Sequence, residues 1–391
     1  MEIEEFVEKY YVERQHTNSL KWDLLEERFG QADLLPLWVA DMDFKVSQAI
    51  TKILKDRILH GVYGYTFVGK SYYQAYNNWM ETYFSFPIKE EWVRFSTGAV
   101  QAIYHLLYTF TDENDSVIIQ TPVYYPFSDA VKDTNRRLVN VDLVNNDGYF
   151  TIDFERFEQE IIGQSVKLYI HCSPHNPVGR VWTEEEQAKL FAICQKHNVL
   201  IISDEIHQDF TFEHEHIPAA NVSEGVHRPR VITVNSASKS FNIAGLTHCN
   251  IVITDDELRQ KYDDFANSMF KTEANIMGLF ATEAAYVDGM DWIDSLKNVI
   301  FHNYEIVRDY FTKFAPEITV SPLEGTYLVF VDLRKVVKSD EMVEFIQGKC
   351  GLAVDYGEWF GEGYEGFIRL NLATKPENIE KAVQTIVEQL G

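Results

Sequence analysis

The sequence predicts an α/β fold, with a large domain on a mostly parallel seven-stranded sheet and a smaller α+β domain beside it. Three observations carry this. Through the middle of the chain, short runs of β-branched and aromatic residues alternate with helical patterns, as parallel strands joined by crossover helices do. At 391 residues and 46% hydrophobic, the chain can fill two cores without staples. Beyond about residue 255 the alternation gives way to a long helical pattern and then to isolated strands.

Taken in order, the expected strands are Val93–Ser96, Ser116–Gln120, Arg137–Val141, Lys167–His171, Val199–Ser203, Arg230–Val234 and Cys249–Thr254. Among the crossovers, Thr183 and Glu186 form a capping-box pair, and Leu190, Phe191 and Cys194 follow at helical spacing. A helical run is expected from about Asp255 to Phe311. Strands at Thr319-Val320, Tyr327–Val331 and Phe367–Leu370 follow, and a helix from Pro376 closes the chain. The expected division is an N-terminal segment 1–45 joining the small domain, a large domain 46–285 and a small domain 286–391. With no repeat and no Gly/Ser linker, the two units are expected to share one body.

Composition excludes several function classes. Asp and Glu outnumber Lys and Arg by 60 to 35, and the net charge of −25 repels nucleic-acid backbones and anionic membranes. The first residues, Met1-Glu-Ile-Glu-Glu5, carry acids where a secretory signal carries bases, and no apolar run is long enough to span a bilayer. A cytoplasmic protein is expected. Cys172, Cys194, Cys249 and Cys350 are scattered, which fits a reducing compartment and suggests neither disulfides nor a zinc site. His214 and His216 have no third ligand spaced nearby, so they are expected in a solvated loop with no metal.

The chemistry-bearing residues follow the strands, where ligands of open α/β sheets collect. Lys239 comes just after one buried strand and Asp204 closes another. A lysine amine can form a Schiff base with an aldehyde, and a carboxylate can hold a ring nitrogen protonated. These are the two handles that pyridoxal 5′-phosphate (PLP) requires. Asp204 as a mere helix cap and Lys239 as a surface lysine are the bland alternatives. Ser96-Thr-Gly98-Ala99-Val100 is a strand-to-helix turn whose free amides suit a phosphate, although an ordinary helix start reads the same way. Tyr124 follows the next strand, placed either to stack on a pyridine or to fill a core. Asn176 precedes a proline, which favours an extended backbone and an amide free to donate to a phenolic oxygen.

Asn176, Asp204 and Lys239 together resemble the motif series of fold-type I PLP enzymes, the aspartate aminotransferase superfamily, and Arg369 matches that family's arginine for the substrate α-carboxylate. Leu35–Phe44, Ser173–Arg180 and Ser203–His207 further resemble the MalY/PatB branch of cystathionine β-lyases, or C–S lyases. The resemblance implies that Ala40 lies near the substrate carboxylate, that Ser236 and Ser238 bind phosphate, and that Tyr65 reaches the cofactor phosphate of a neighbouring subunit in a homodimer with shared sites. His207 stands where aminotransferases usually have a tyrosine, and Thr247 where many have a phosphate-binding arginine. Both departures favour β-elimination on a sulfur amino acid, with Lys239 as base, over transamination. An aminotransferase and a regulatory binding protein on the same scaffold are the competing readings.

Overall fold

The computed structural model describes residues 1–269 and 274–391. Its main sheet has seven strands: β1 (Val93–Ser96), β2 (Ser116–Ile119), β3 (Arg137–Asn140), β4 (Val166–Cys172), β5 (Leu200–Asp204), β6 (Val231–Asn235) and β7 (Cys249–Ile253). Their order across the sheet is β1-β7-β6-β5-β4-β2-β3. Every pair from β6 to β3 is parallel, whereas β7 runs against both of its neighbours. The predicted strands differ from these only at their ends, where hydrogen bonding frays. Residues 117–119, 201–204, 231–235 and 249–253 are buried throughout. Helices cover both faces of the sheet, so its strands read as continuous apolar runs instead of alternating.

The predicted capping box is present: Thr183 Oγ1 accepts from the Glu186 N–H at 3.2 Å, and Glu186 Oε2 accepts from the Thr183 N–H at 2.9 Å. The predicted helical run after residue 255 is divided into helices Asp256–Met269, Ile276–Asp288 and Met290–Phe314. Residues 270–273, inside that run, lie outside the described residues. Asn275 opens the second helix by accepting from the N–H groups of Met277 and Gly278, and Gly289 separates it from the third.

A second sheet holds β8 (Thr319–Val320), β9 (Leu328–Asp332), β10 (Asp355–Tyr356) and β11 (Phe367–Asn371), antiparallel in the order β8-β9-β11-β10. Helices Met290–Phe314 and Pro376–Leu390 pack against each other. The start of the chain joins this part. Phe6 and Tyr10 meet Trp292, and Leu35 and Pro36 pair in parallel with Leu352 and Ala353. Residues 38–44 then run between the two sheets. Asn371 Nδ2 donates to the carbonyls of Val39 and Asp41, both at 2.6 Å, and Asn242 Nδ2 donates to those of Met42 and Phe44. Among the described residues, no helix is long and apolar enough to cross a membrane.

The loop holding His214 and His216 is solvated only in part. His214 is half exposed, but the His216 side chain is enclosed, with its Nε2 3.2 Å from Glu205 Oε2. The Glu205 carboxylate also accepts from Ser203 Oγ and the Ala219 N–H. A buried carboxylate must be hydrogen-bonded. Three-dimensional packing therefore draws in a histidine that its polar sequence neighbours place outside.

Candidate active site

The strands β1, β2, β4, β5 and β6 all end at the same edge of the sheet, and a cavity of about 220 Å³ opens there. Asp204 enters it from the end of β5, and Lys239 from the short helix Ala237–Ser240 that follows β6. Gly98, Ala99 and Val100 come from the turn after β1, Tyr124 from the loop after β2 and Asn176 from the loop after β4. His207, Ser238 and Ala40 complete the set of sequence-predicted residues in the lining.

Lys239 Nζ donates to the Ala40 carbonyl at 2.7 Å. Burial brings its pKa down to about 8, helped by the charge of Arg369 and opposed by Asp41 and Asp204. Some of the amine is therefore neutral near pH 7 and able to act as nucleophile or base. Asp204 is pushed up to about 7 by burial, against the Ile206 N–H that its Oδ1 accepts at 3.1 Å and the charge of Lys239. A cation held against its carboxylate would restore ionisation. His207 is held well below its ordinary pKa by burial and by the charges of Lys239 and Arg369, so its ring is neutral. The ring lies edge-on to Tyr327 at 5.4 Å, and its Nδ1 is buried without a hydrogen-bond partner among the described residues.

Arg369, on β11, is 2% exposed. Its Nη1 donates to Asn176 Oδ1 at 3.0 Å, and its Nη2 to the Trp38 carbonyl at 2.9 Å and to Asp355 Oδ2. With its oxygen taken by Arg369, the Asn176 amide keeps its N–H groups to donate into the cavity. Helix Ala99–Phe110 begins at Gly98 without a side-chain cap, so its first N–H groups remain available to an anion. Gly98 itself has an extended backbone, and a Cβ there would meet nothing within 4 Å. The position keeps open space beside the helix start without needing a left-handed turn.

Three predicted residues lie outside the cavity lining: Arg369, which reaches the lining residue Asn176 through its Nη1, Ser236 and Tyr65. Ser236 does not line the cavity: its hydroxyl donates to the His248 carbonyl at 2.6 Å and accepts from the Ser238 N–H at 3.0 Å, so it shapes the turn that carries Ser238 and Lys239. Tyr65 is 98% exposed and contributes nothing to the cavity of its own chain. Thr247 is exposed, its Oγ1 accepting from Asn275 Nδ2 at 3.1 Å. Other residues at the site carried no local signal. Tyr327 donates its hydroxyl to the Ala40 carbonyl at 2.7 Å, beside Lys239, from just before β9, in a run that reads as ordinary core. Asp355 and the Trp38 carbonyl reach Arg369 from distant parts of the chain.

The residues present suit PLP: a buried amine for the aldehyde, a buried carboxylate with no ion pair among the described residues for the ring nitrogen, an amide donor for the phenolic oxygen, and an uncapped helix start with the Ser238 hydroxyl for the phosphate.

The family model "Aminotransferase class I and II" matches residues 33–386. Cystathionine beta-lyase PatB of Bacillus subtilis is 36% identical over 381 residues, 97% of this chain and 98% of its own. Protein MalY of Escherichia coli is 30% identical, covering 97% of both chains. Among crystal structures, PLP-containing cystalysin from Treponema denticola superposes with a TM-score of 0.93 at 34% identity, covering 97% of each chain. This chain belongs to the aminotransferase class I and II family, within its MalY and PatB branch.

Proposed function

We propose that this protein is a PLP-dependent carbon–sulfur β-lyase that cleaves L-cystathionine, L-cysteine or related S-conjugates to a thiol, pyruvate and ammonia. The observation that carries the reading is the convergence of Lys239, Asp204, Asn176 and Tyr124 in one cavity, with His207 rather than a tyrosine beside them. Likeness to the cystathionine β-lyases over nearly the whole chain favours elimination over transamination.

PLP, when bound, supplies an aldehyde for the substrate amine and an electron sink for the charge left at Cα. This chain's residues do the rest. Arg369 holds the α-carboxylate, and Asn176 fixes its guanidinium. Asp204 keeps a proton on the ring nitrogen, so that negative charge developing at Cα is stabilised as it forms. Tyr124 flanks the ring. Lys239, once freed from the cofactor, removes the α-proton as general base, a role for which a pKa of about 8 is well placed. Departure of the thiolate from Cβ completes the elimination and leaves 2-aminoacrylate, whose imine tautomer takes up water after release to give pyruvate and ammonia. The Ala40 carbonyl, itself held by the Tyr327 hydroxyl, orients the lysine amine for this transfer.

A second copy of the chain belongs to this reading. Ile58, Leu59, Val62, Tyr63, Tyr65 and Phe67 are all more than half exposed, an apolar stretch that a homodimer would cover while carrying Tyr65 toward the partner's phosphate site. Four free, buried cysteines fit a reducing cytoplasmic setting.

Incubation of the enzyme with L-cystathionine and no 2-oxo acid should release pyruvate, ammonia and homocysteine continuously. If sustained turnover instead needs an added 2-oxo acid and yields a new amino acid, the protein is an aminotransferase.

A further inference from the structure

The guanidinium proposed to hold the substrate carboxylate already holds a carboxylate of its own. A guanidinium has five N–H groups, and each edge that can grip a carboxylate with two parallel bonds includes Nη2. Both Nη2 hydrogens of Arg369 are engaged, one by the Trp38 carbonyl and one by Asp355 Oδ2. Nη1 gives one hydrogen to Asn176, and Nε is buried without a hydrogen-bond partner among the described residues. A two-pronged grip on substrate therefore needs one acceptor on Nη2 to let go.

The two acceptors differ in freedom. The Trp38 carbonyl belongs to a backbone fixed on both sides, by the Leu37 N–H on the Ala353 carbonyl at 2.8 Å and by Asn371 on the Val39 carbonyl. Asp355 is a side chain that can rotate, and it is an anion at the place where a second anion must bind. The sheet builds this pair, because Asp355 on β10 lies opposite Arg369 on β11 in register. The other groups that act on Asp355 are the Arg28 guanidinium and the hydroxyls of Tyr124 and Tyr125. Burial raises the carboxyl's pKa, against the pull of Arg369 and Arg28. Displacement from Arg369 would leave it less stabilised still as an anion.

We propose that Asp355 takes the place of the substrate α-carboxylate on Arg369 until substrate arrives, and that this internal competition sets how tightly the enzyme binds α-amino acids. The proposal rests on the reading of Arg369 given above. Asp355→Asn keeps the shape and an acceptor oxygen while removing the charge. Cofactor-loaded enzyme should be titrated with L-alanine, which has no leaving group at Cβ, and followed by visible absorbance. Two carboxylates on one buried guanidinium repel strongly, so the variant should bind L-alanine roughly tenfold more tightly or better. Its affinity for ethylamine, which lacks the carboxylate, should be unchanged, and KM should fall by more than kcat changes. Asp355→Ser, smaller and neutral, should move L-alanine binding in the same direction and guards against a folding defect in the first variant. Unchanged or weaker L-alanine binding in both variants would overturn the proposal and leave Asp355 as a group that only orients Arg369. Arg369→Gln separates the two ideas: wild-type affinity for L-alanine in that variant would remove the carboxylate from Arg369 and defeat the underlying reading itself.

Discussion

Asp204 and Lys239 show how burial prepares ordinary side chains for chemistry. Neither could remain as it is in a core without a partner, and each is shifted toward its neutral form, Asp204 to about 7 and Lys239 to about 8. Lys239→Ala should leave no borohydride-reducible link between chain and cofactor. Asp204→Asn should retain cofactor yet lose about 3 kcal/mol of transition-state stabilisation, as removal of one central electrostatic group does; near-wild-type kcat would reduce Asp204 to a helix cap. Asp204 also predicts a pH dependence for the cofactor-free protein. Its folded pKa lies above the unfolded value of about 4, so the native state binds the extra proton between the two. The stability it contributes is present at low pH and is lost as pH rises through about 7. Chemical denaturation of cofactor-free protein from about pH 4 to 7 should show a steeper loss for wild type than for Asp204→Asn. Parallel curves would mean that Asp204 is already paired.

Between elements, the loop after β4 meets the turn before β9 through two glycines. The N–H groups of Glu324 and Gly325 both donate to the Gly179 carbonyl, at 3.0 and 2.8 Å. A Cβ on Gly325 would come within 2.7 Å of Val181 Cγ2, 2.8 Å of Pro174 Cβ and 2.9 Å of the Phe210 carbonyl. This close approach joins the loop that carries Asn176 to the turn that leads into Tyr327. Gly325→Ala should cost about 1–3 kcal/mol, the usual range for overpacking, and should weaken amino-acid binding because Asn176 orients Arg369. Denaturation midpoints and KM together check this. A stable variant with unchanged KM would show that the junction yields without moving the site.

For the whole molecule, Tyr65 and the exposed apolar residues from Ile58 to Phe67 point to a second copy. Sedimentation should give a dimer. Heterodimers of Tyr65→Phe with Lys239→Ala subunits should contain one intact site and one doubly altered site, so mixing should raise activity above either parent if Tyr65 acts across the interface. A monomer, or no gain on mixing when Tyr65→Phe alone is impaired, would confine Tyr65 to its own chain. The charge of −25 also makes the positive groups of the cavity stand out, because an anionic cofactor and the carboxylate of an amino acid must be held against the average field of the protein.

The sequence by itself determined the sheet and much of the cavity. Strands buried on both faces read as unbroken apolar runs, and polar residues just past them, Gly98, Tyr124, Asn176, Asp204 and Lys239, come together because parallel strands end on one edge. Local patterning is enough wherever a residue's place follows from the strand that carries it. Only the tertiary structure decided what meets across long separations. The Ala40 carbonyl under Lys239, Tyr327 beside it, the enclosure of His216 by Glu205 and the seating of Asp355 on Arg369 all depend on packing between distant segments. Apart from Ala40, which the resemblance of Leu35–Phe44 already placed near the site, these residues do not differ locally from ordinary core or loop. Their roles come from shared burial, which forces polar groups to find one another, and burial is a property of the folded chain.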